Sequence, residues 1–235
     1  MKQSNTTDIP RVDRELLLME RLPIDGARVI DIGCGEGWLT RLLASKAETV
    51  IGIDPSAMAL ERANAQNSTA NGTYLQASAD YLPLNQACID IAIYYNSLHH
   101  VPATLQSKAL EETARVLAEG GLLCVVEPMA SGSAYELFQP VDDESEVYDT
   151  TYKLILGAAS GVEFQQVQEE LFMDFYTYRN FEQFSDNVLV VDEGRAGGLV
   201  ELEDMLRERF DQLGESVEGG RRYDQVNRLS LLCKL

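Results

Sequence analysis

Between residues 28 and 128, the chain alternates between short apolar runs and segments with helical spacing. Apolar runs with little polar alternation are typical of strands that are buried on both faces of a parallel sheet. The segments between them place apolar side chains three and four positions apart, which predicts helices with one apolar face. Strands that alternate with helices predict the α/β class, with a doubly wound and mostly parallel sheet. The predicted strands are Arg28–Ile32, Thr49–Ile53, Thr73–Ala77, Ile89–Tyr95 and Leu122–Val126, and the predicted helices are Trp38–Lys46, Ala57–Gln66 and Thr104–Leu117.

The pattern is less regular on either side of this region. Residues 9–21 have an apolar side at helical spacing, and Pro23 ends that predicted helix. The glycines of Glu119–Gly121 are expected to stop the helix that precedes the fifth strand. Residues 129–165 are mostly polar and irregular. Beyond Pro128 the pattern predicts helices at 146–159, 181–187 and 199–213, and strands at 168–178 and 226–235.

Composition narrows the classes of protein to which this chain can belong. Its 235 residues are 45% hydrophobic, which is enough for one core, so we expect a single domain spanning 1–235. The net charge is −19, and the sequence has no large cluster of basic residues of the kind that binds nucleic acid, which argues against a nucleic-acid partner. No apolar stretch reaches membrane-spanning length, and the polar N-terminus has no signal-peptide core. Four scattered cysteines without metal-ligand spacing suit a reduced, cytoplasmic protein, and no metal is expected.

The first predicted strand leads into three glycines at alternate positions. Gly33, Gly35 and Gly37 have the spacing G-x-G-x-G. A dinucleotide fingerprint is G-x-G-x-x-G, and Trp38 stands where its third glycine should be. No Lys-Ser/Thr pair follows, so the loop is not a phosphate-binding P-loop. Asp31 lies just before the turn, where it would repel a phosphate and attract a cation. S-adenosylmethionine carries an ammonium and a sulfonium and no phosphate, so it fits this loop better than NAD.

Four segments resemble the motifs of the class I S-adenosylmethionine-dependent methyltransferases. They occur in the family's order and at βα spacings, and the resemblance covers roughly residues 25–128. It implies a Rossmann-like sheet of seven strands that ends in an antiparallel pair, here 168–178 and 224–234. It also implies that the variable elements on the substrate side lie in 129–222. The four segments are Asp31–Gly37, Gly52–Ser56, Ala79–Leu84 and Asn96–Val101.

The resemblance implies a cofactor role for residues that follow each strand. Asp54 would accept the ribose hydroxyls, although an aspartate before a helix is also a common N-cap. Asp80 would accept the adenine amino group, although an exposed loop aspartate would look the same in the sequence. Asp31 and the glycine loop would hold the amino-acid end of the cofactor. The predicted cofactor-binding residues are Asp31, Gly33, Cys34, Gly35, Gly37, Asp54, Pro55, Met58, Ala79, Asp80, Tyr81 and Asn96.

The two histidines of the chain, His99 and His100, are adjacent where the resemblance places the reacting methyl group. A histidine there can take a proton from an O–H or N–H nucleophile, so both are candidate catalytic residues. They could instead cap the turn or pack against the cofactor, since many methyltransferases need only alignment of the acceptor. Adjacent side chains usually diverge, so we do not expect the two histidines to form a metal pair.

Together these features predict S-adenosylmethionine-dependent methyl transfer, which gives S-adenosylhomocysteine and a methylated acceptor. A small-molecule acceptor is expected, and the residue patterns specify neither the acceptor atom nor an oligomeric state. Two alternatives stay open. An NAD(P)-dependent oxidoreductase would also use a glycine loop after the first strand, although Trp38 argues against it. A non-catalytic protein that binds S-adenosylmethionine or S-adenosylhomocysteine would keep the same cofactor residues.

Overall fold

The computed structural model describes residues 9–66, 69–191 and 193–235, and the strands of this part of the chain form one β-sheet of eight strands, where seven were predicted. The strands are β1 (Arg28–Ile32), β2 (Thr49–Asp54), β3 (Gly72–Gln76), β4 (Ile89–Tyr95), β5 (Leu117–Pro128), β6 (Phe164–Tyr178), β7 (Glu215–Val217) and β8 (Gly220–Lys234). Seven of them follow the order β3-β2-β1-β4-β5-β8-β6, and β7 pairs with β8 outside that path. Because neighbours in this order are often distant in sequence, helical crossovers must connect them, as in a doubly wound fold.

The pairing of the strands confirms the predicted fold class. β1 is parallel to β2 on one side and to β4 on the other, so that Asp31 lies opposite Gly52 and Ile93. β2 is also parallel to β3, and β4 to β5. β7 and β8 form an antiparallel pair, whereas the pair predicted from the resemblance, 168–178 with 224–234, corresponds to β6 and β8, which are neighbours in the sheet. Parallel strands place their carboxyl ends at one edge of a sheet, so the loops that follow β1, β2, β3 and β4 meet there.

Helices connect these strands, and several begin at clear local signals. The side chain of Asp13 accepts the backbone N–H groups of Glu15 and Leu16, and the side chain of Ser56 accepts that of Ala59. No helix among the described residues is long and apolar enough to cross a membrane. The helices are α1 (Arg14–Arg21), α2 (Trp38–Leu43), α3 (Ala57–Ala65), α4 (Ala103–Val116), α5 (Ser133–Phe138), α6 (Ser145–Ala159), α7 (Phe181–Val191), α8 (Ala196–Glu201) and α9 (Glu203–Leu213), with 3-10 turns at Leu98–His100 and Glu193–Arg195.

Several helix predictions were wrong at their boundaries: the helix predicted over Trp38–Lys46 ends at Leu43, and the one predicted over 181–187 continues to Val191. Two further differences have a clear local reason. The helix predicted over 9–21 begins only at Arg14, because the backbone just before it pairs with Met173 of β6 instead. The helix predicted over 199–213 is broken at Leu202, which ends α8 and precedes α9 with dihedral angles of −105° and 10°. The apolar periodicity continues across the break, so it could not reveal that the axis is interrupted.

The fifth strand is longer than predicted and takes in the glycines that were expected to stop the preceding helix. α4 already ends at Val116, and β5 begins at the next residue. Gly120 has a φ of +74°, and the register with β4 shifts between Ile89 and Ile91. The glycine therefore forms an irregularity inside a strand, which is another common role of this residue. The short helix α5 and the short strand β7 were not predicted at all.

The chain divides into two compact units, and each has its own apolar core. The larger unit comprises 13–127, 149–170 and 228–235, and its core contains Ile30, Ile32, Tyr94 and Leu110. The smaller unit comprises the described residues of 1–12, 128–148 and 171–227. Its core is rich in aromatic side chains, namely Phe181, Phe184, Phe210 and Tyr223. The expected organisation as one domain, 1–235, stays a prediction.

Candidate functional site

A cavity of 750 Å³ lies at the carboxyl ends of the parallel strands, within the larger unit. This is the edge at which open α/β sheets bind their ligands, and the volume lies in the range of roughly 300–1,000 Å³ that is usual for small-molecule sites. Its lining comes from the loops that follow four strands, from the turn after β4 and from the start of α4. The lining residues are Ile32, Gly33, Gly35, Ile53, Asp54, Pro55, Ala77, Ser78, Ala79, Asp80, Tyr94, Asn96, Ser97, His100, Val101, Pro102 and Leu105.

The glycine loop has a backbone that only glycine adopts easily. Gly33, Gly35 and Gly37 have φ angles of +78°, +51° and +76°, in the left-handed region. A Cβ on Gly33 would lie 2.5 Å from the Cβ of Ser97, so the absence of a side chain lets the loop pack against the turn after β4. A Cβ on Gly35 would meet no atom within 4 Å, so a side chain at this lining position would project into open space.

Asp54 holds the glycine loop and the start of the next helix at the same time. Its Oδ2 accepts the N–H of Gly35 at 2.9 Å, and its Oδ1 accepts the N–H of Ser56 at 2.8 Å. The N-cap of α3 is Ser56 itself, so Asp54 is not the helix cap that the sequence left open as an alternative. A carboxylate offers about four acceptor sites, so both oxygens keep capacity for ligand hydroxyls in the cavity.

Asp31 lies beside the loop but does not line the cavity. Only 2% of the residue is exposed, and Oδ2 accepts the hydroxyl of Thr40, on α2, at 2.6 Å. Burial raises the pKa of the Asp31 carboxyl from its ordinary value of 3.8 to about 6, although the hydrogen bonds from Thr40 oppose that rise. The direction of this side chain follows from strand alternation, because its neighbours on β1 point to the opposite face. Because Asp31 is not among the lining residues, its predicted contact with the cofactor stays a prediction.

Two other loop residues also face the packed interior rather than the cavity lining. Cys34 is 5% exposed, and burial raises the pKa of its thiol. Gly37 accepts the hydroxyl of Tyr74, on β3, at its carbonyl oxygen, with a distance of 3.2 Å. The Tyr74 contact attaches the loop to β3, and the N–H of Cys34 attaches it to β2 by donating to the carbonyl of Ile53 at 3.0 Å. Cys34 and Gly37 therefore support the loop that lines the cavity.

The segment after β3 divides between lining and rim. Ala79 and Asp80 line the cavity, as does Pro55 after β2. Tyr81 and Met58, which were also predicted to bind the cofactor, are 71% and 58% exposed and are not among the lining residues. The structure therefore brings together the residues whose backbone ends or follows a strand, and it leaves the two longer side chains in solvent.

Asn96 contributes a polar atom that has no protein partner. Its backbone N–H donates to the carbonyl of Val126 at 2.8 Å, which extends the β4–β5 pairing by one residue, and its φ of +51° then turns the chain away. Its side-chain Oδ1 is buried and has no hydrogen-bond partner among the described residues. A buried acceptor without a donor costs about 1–3 kcal/mol, so a ligand that supplies the donor would recover stability.

The two histidines occupy different environments. His100 is exposed and lines the cavity, whereas His99 is 7% exposed and lies behind it, with the ring centroids 4.0 Å apart. Nδ1 of His99 contacts Oε2 of Glu127, at the end of β5. Oε1 of the same carboxylate accepts the N–H of Leu98 at 2.9 Å. His99 and Glu127 are 28 positions apart in sequence, so no local pattern could have revealed this pair.

Several lining residues were not predicted from the sequence. Tyr94, Pro102 and Leu105 contribute to the wall, and each belongs to a segment that was read only as a strand or as a helix start. The sequence signal for these residues was their position close to Asn96–Val101, because residues next to a strand end at this edge lie near the ligand site.

The fold and the position of this cavity define a Rossmann-like protein with a small-molecule site at its strand ends. Residues 30–125 match the sequence model of a family described as a methyltransferase domain. Through this region, the chain is similar to class I S-adenosylmethionine-dependent methyltransferases. This match supports the family that the four sequence segments predicted.

Individual relatives agree with the family but match only part of their length. An uncharacterized methyltransferase of Synechocystis sp. is 37% identical over 113 residues, which are 47% of this chain and 52% of that protein. A malonyl-[acyl-carrier protein] O-methyltransferase of Pectobacterium atrosepticum is 32% identical over 132 residues, 56% of this chain and 50% of that protein. The chain thus spans about half the length of these curated relatives.

A solved structure extends the likeness over most of the chain. A protein of Bacillus halodurans assigned as a methyltransferase has a TM-score of 0.66 at 21% identity, and the match covers 94% of this chain and 98% of that chain. At this level of identity the likeness shows the shared fold alone.

Proposed function

We propose that this chain binds S-adenosylmethionine in the 750 Å³ cavity and transfers its methyl group to a small-molecule acceptor. The observation that carries the proposal is the convergence of Gly33, Asp54, Asp80 and Asn96 on one cavity at the strand ends. The match of residues 30–125 to a methyltransferase domain supports the reaction type. The relatives' own acceptors are not transferred to this chain, because the similarity covers only about half of their length.

The chemistry of the lining suits a cationic ligand better than a phosphate-bearing one. The formally charged residues of the lining are Asp54 and Asp80, and no lysine or arginine lines the cavity within the described part of the chain. The pyrophosphate of a dinucleotide would face these carboxylates without a cation to offset them. S-adenosylmethionine instead brings donors, namely ribose hydroxyls, an adenine amino group and an ammonium, to a site that is rich in acceptors. The unpartnered Oδ1 of Asn96 is one such acceptor.

The residues of the chain would act mainly by positioning and by excluding water. When bound, the cofactor supplies a methyl group activated on sulfonium. Asp54 would hold the ribose, Asp80 the adenine, and Asn96 a donor near the end of β4. The apolar side chains of Val101 and Leu105 would keep water from the reacting atoms, which favours an in-line displacement between aligned partners.

The acceptor is proposed to be a small molecule. With a net charge of −19, the chain would repel a polyanionic nucleic acid, whose affinity for proteins depends on neutralising phosphates. The two histidines, His99 and His100, are proposed to act at the acceptor side of the cavity, where one of them lines the wall.

The binding half of the proposal is tested by calorimetric titration with S-adenosylhomocysteine and with NADH. We expect the first to bind and the second not to bind. Asp54→Ala should weaken binding of S-adenosylhomocysteine at least 100-fold, because two hydrogen bonds to a charged group are worth about 1.5–3 kcal/mol each. Asp54→Asn keeps one acceptor oxygen and should weaken binding less. Asp25→Ala removes an exposed carboxylate before β1 and serves as the control.

Unchanged affinity in Asp54→Ala, or binding of NADH in place of S-adenosylhomocysteine, would overturn the site assignment. Catalysis is tested separately, by following formation of S-adenosylhomocysteine from S-adenosylmethionine across a panel of small hydroxyl, amine, thiol and carboxylate acceptors. Tight cofactor binding with no transfer to any acceptor would favour a non-catalytic binding protein instead.

A further inference from the structure

We infer that Glu127 is a positioning residue for His99, that this pair orients His100 as the proton acceptor, and that the methyl acceptor is an alcohol or a phenol. The inference rests on the proposed function and deepens it, because it names the class of acceptor. It is carried by three side chains at the ends of β4 and β5, all within the larger unit.

Glu127 makes two contacts that together fix the turn after β4. One carboxylate oxygen accepts the N–H of Leu98, and the other contacts Nδ1 of His99. The side chains of His99 and Glu127 are only 4% and 8% exposed, so little water competes for this contact. A carboxylate only accepts hydrogen bonds when it is ionised, so the proposal assigns the donor role in this contact to Nδ1 of His99. The carboxylate therefore determines both the orientation of the imidazole and the position of its proton.

A second buried side chain holds the same turn. The amide nitrogen of Gln106, on α4, donates to the carbonyl oxygens of Leu98 at 3.3 Å and of Val101 at 3.1 Å. It also lies 3.2 Å from the hydroxyl oxygen of Thr151, and both Gln106 and Thr151 are buried. A turn that is held at its N–H and at two of its carbonyls has few ways to rotate, so the histidines keep a defined direction.

His100 is the histidine that can meet a substrate. It lines the cavity, and its ring centroid lies 4.0 Å from that of His99, with the planes tilted by 46°. The fixed ring of His99 therefore limits where the ring of His100 can lie. Because His100 is also exposed, a proton that it accepts can pass on to water between turnovers.

The reaction then has one balanced proton transfer. The acceptor oxygen forms a bond to the methyl carbon as the bond from that carbon to sulfur breaks, and the electron pair stays on sulfur. The hydroxyl proton passes to a ring nitrogen of His100, and Glu127 remains a carboxylate throughout. A base is needed here because an alcohol or phenol holds its proton at neutral pH, whereas a carboxylate acceptor has already lost it.

The test begins with the histidine ring nitrogens of the unliganded protein, observed by ¹⁵N NMR. The chain has two histidines, so His100→Gln assigns both sets of signals. We expect Nδ1 of His99 to carry a proton in the wild type, and Glu127→Gln to shift that signal. Glu112→Gln is the matched control, because Glu112 also accepts a backbone N–H, that of Leu82, but pairs with Arg115. It should leave the histidine signals unchanged.

Cofactor affinity and kcat together distinguish a positioning role of Glu127 from a purely structural one. Glu127 does not line the cavity, so Glu127→Gln should leave affinity for S-adenosylhomocysteine within about twofold of the wild type. With phenol, benzoate and aniline as acceptor probes, His100→Gln should lower kcat for phenol about 100-fold with little change in KM, which is the usual contribution of a general base. Glu127→Gln should lower the same kcat at least tenfold.

Three results would overturn the inference. One is a wild-type His99 whose Nδ1 carries no proton, which needs no variant and so does not depend on folding. Another is a set of histidine signals that Glu127→Gln leaves in place. The third is methylation of benzoate or aniline, but not phenol, at a rate that His100→Gln does not change. A wild-type protein that does not bind S-adenosylhomocysteine would instead refute the proposed function. Failure of the inference and failure of the proposed function are therefore distinguishable.

Discussion

Replacing Asp31 with asparagine is expected to stabilise the fold at neutral pH. The carboxyl is buried beside Thr40, and burial raises its pKa from 3.8 to about 6. At neutral pH the folded protein therefore keeps a negative charge where a neutral group would be easier to bury. Asparagine has nearly the same shape, can still accept the Thr40 hydroxyl and carries no charge.

The size of the effect follows from the shift in the pKa of Asp31. A carboxyl whose pKa is higher in the folded than in the unfolded chain binds protons on folding, so stability falls as pH rises through both values. The rise from 3.8 to about 6 corresponds to about 3 kcal/mol of destabilisation at pH 7.5, and to about half of that at pH 5. The gain from Asp31→Asn should therefore shrink by about 1.5 kcal/mol between pH 7.5 and pH 5.

Urea unfolding measures this difference directly. Trp38 is the only tryptophan of the chain and begins α2, so its fluorescence reports on the region around the substitution. The wild type and Asp31→Asn would be compared at pH 5, 6 and 7.5, and only the difference between the two curves is interpreted, because other titrating groups cancel. Asp25→Asn, which changes an exposed carboxylate before the same strand, is the control.

A difference that stays constant from pH 5 to pH 7.5 would refute the reasoning, because it would mean that Asp31 does not titrate in this range. A difference that grows towards pH 5 would refute it as well, since the sign would be reversed.

Two further substitutions test the loop and the opposite end of β1. Gly33→Ala should lower the free energy of unfolding by about 1–3 kcal/mol, because its Cβ would lie 2.5 Å from that of Ser97 at a φ of +78°. Gly26→Ala has a similar φ of +71° and no atom within 4 Å, so in the same urea assay it should cost less; equal losses would contradict the clash. Asp90→Asn should destabilise the protein at pH 7, because the hydrogen bond from Arg28 lowers the pKa of Asp90 from its ordinary 3.8. That stabilisation is present above pH 3.8 and is lost as pH falls through the lowered pKa of Asp90, so the urea curves of the two proteins should approach each other below pH 3.8, and divergence there would count against the reasoning.

The strands that are buried on both faces were the most predictable part of the fold. β1 and β4 have the bounds that were predicted, because a continuous apolar run admits few other structures when glycine or polar turns flank it. The helix boundary at Ser56 was equally accessible, since a serine N-cap acts within one turn. Periodicity failed at Leu202 and Gly120, where backbone dihedral angles rather than apolar spacing decide the structure.

Some residues of the candidate site could be predicted from the sequence, and others could not. The sequence order of strands and loops was enough to predict that Asp54, Asp80 and Asn96 would lie at one edge of the sheet, and the structure places all three at one cavity. The direction of the Asp31 side chain depends on which face of β1 the helix covers, which the motif does not encode. The contact between His99 and Glu127 joins two strand ends that only the folded sheet brings together.

Asp54 bears on how related sequences should be interpreted. Because its carboxylate oxygens already bond to the backbone N–H groups of Gly35 and Ser56, its loss would disturb the loop even in a protein that binds nothing. A descendant that had abandoned catalysis would still be selected to keep this aspartate for its shape. An acid at this position is therefore poor grounds for separating active enzymes from inactive paralogues, and the residues around the histidine turn are the better diagnostic.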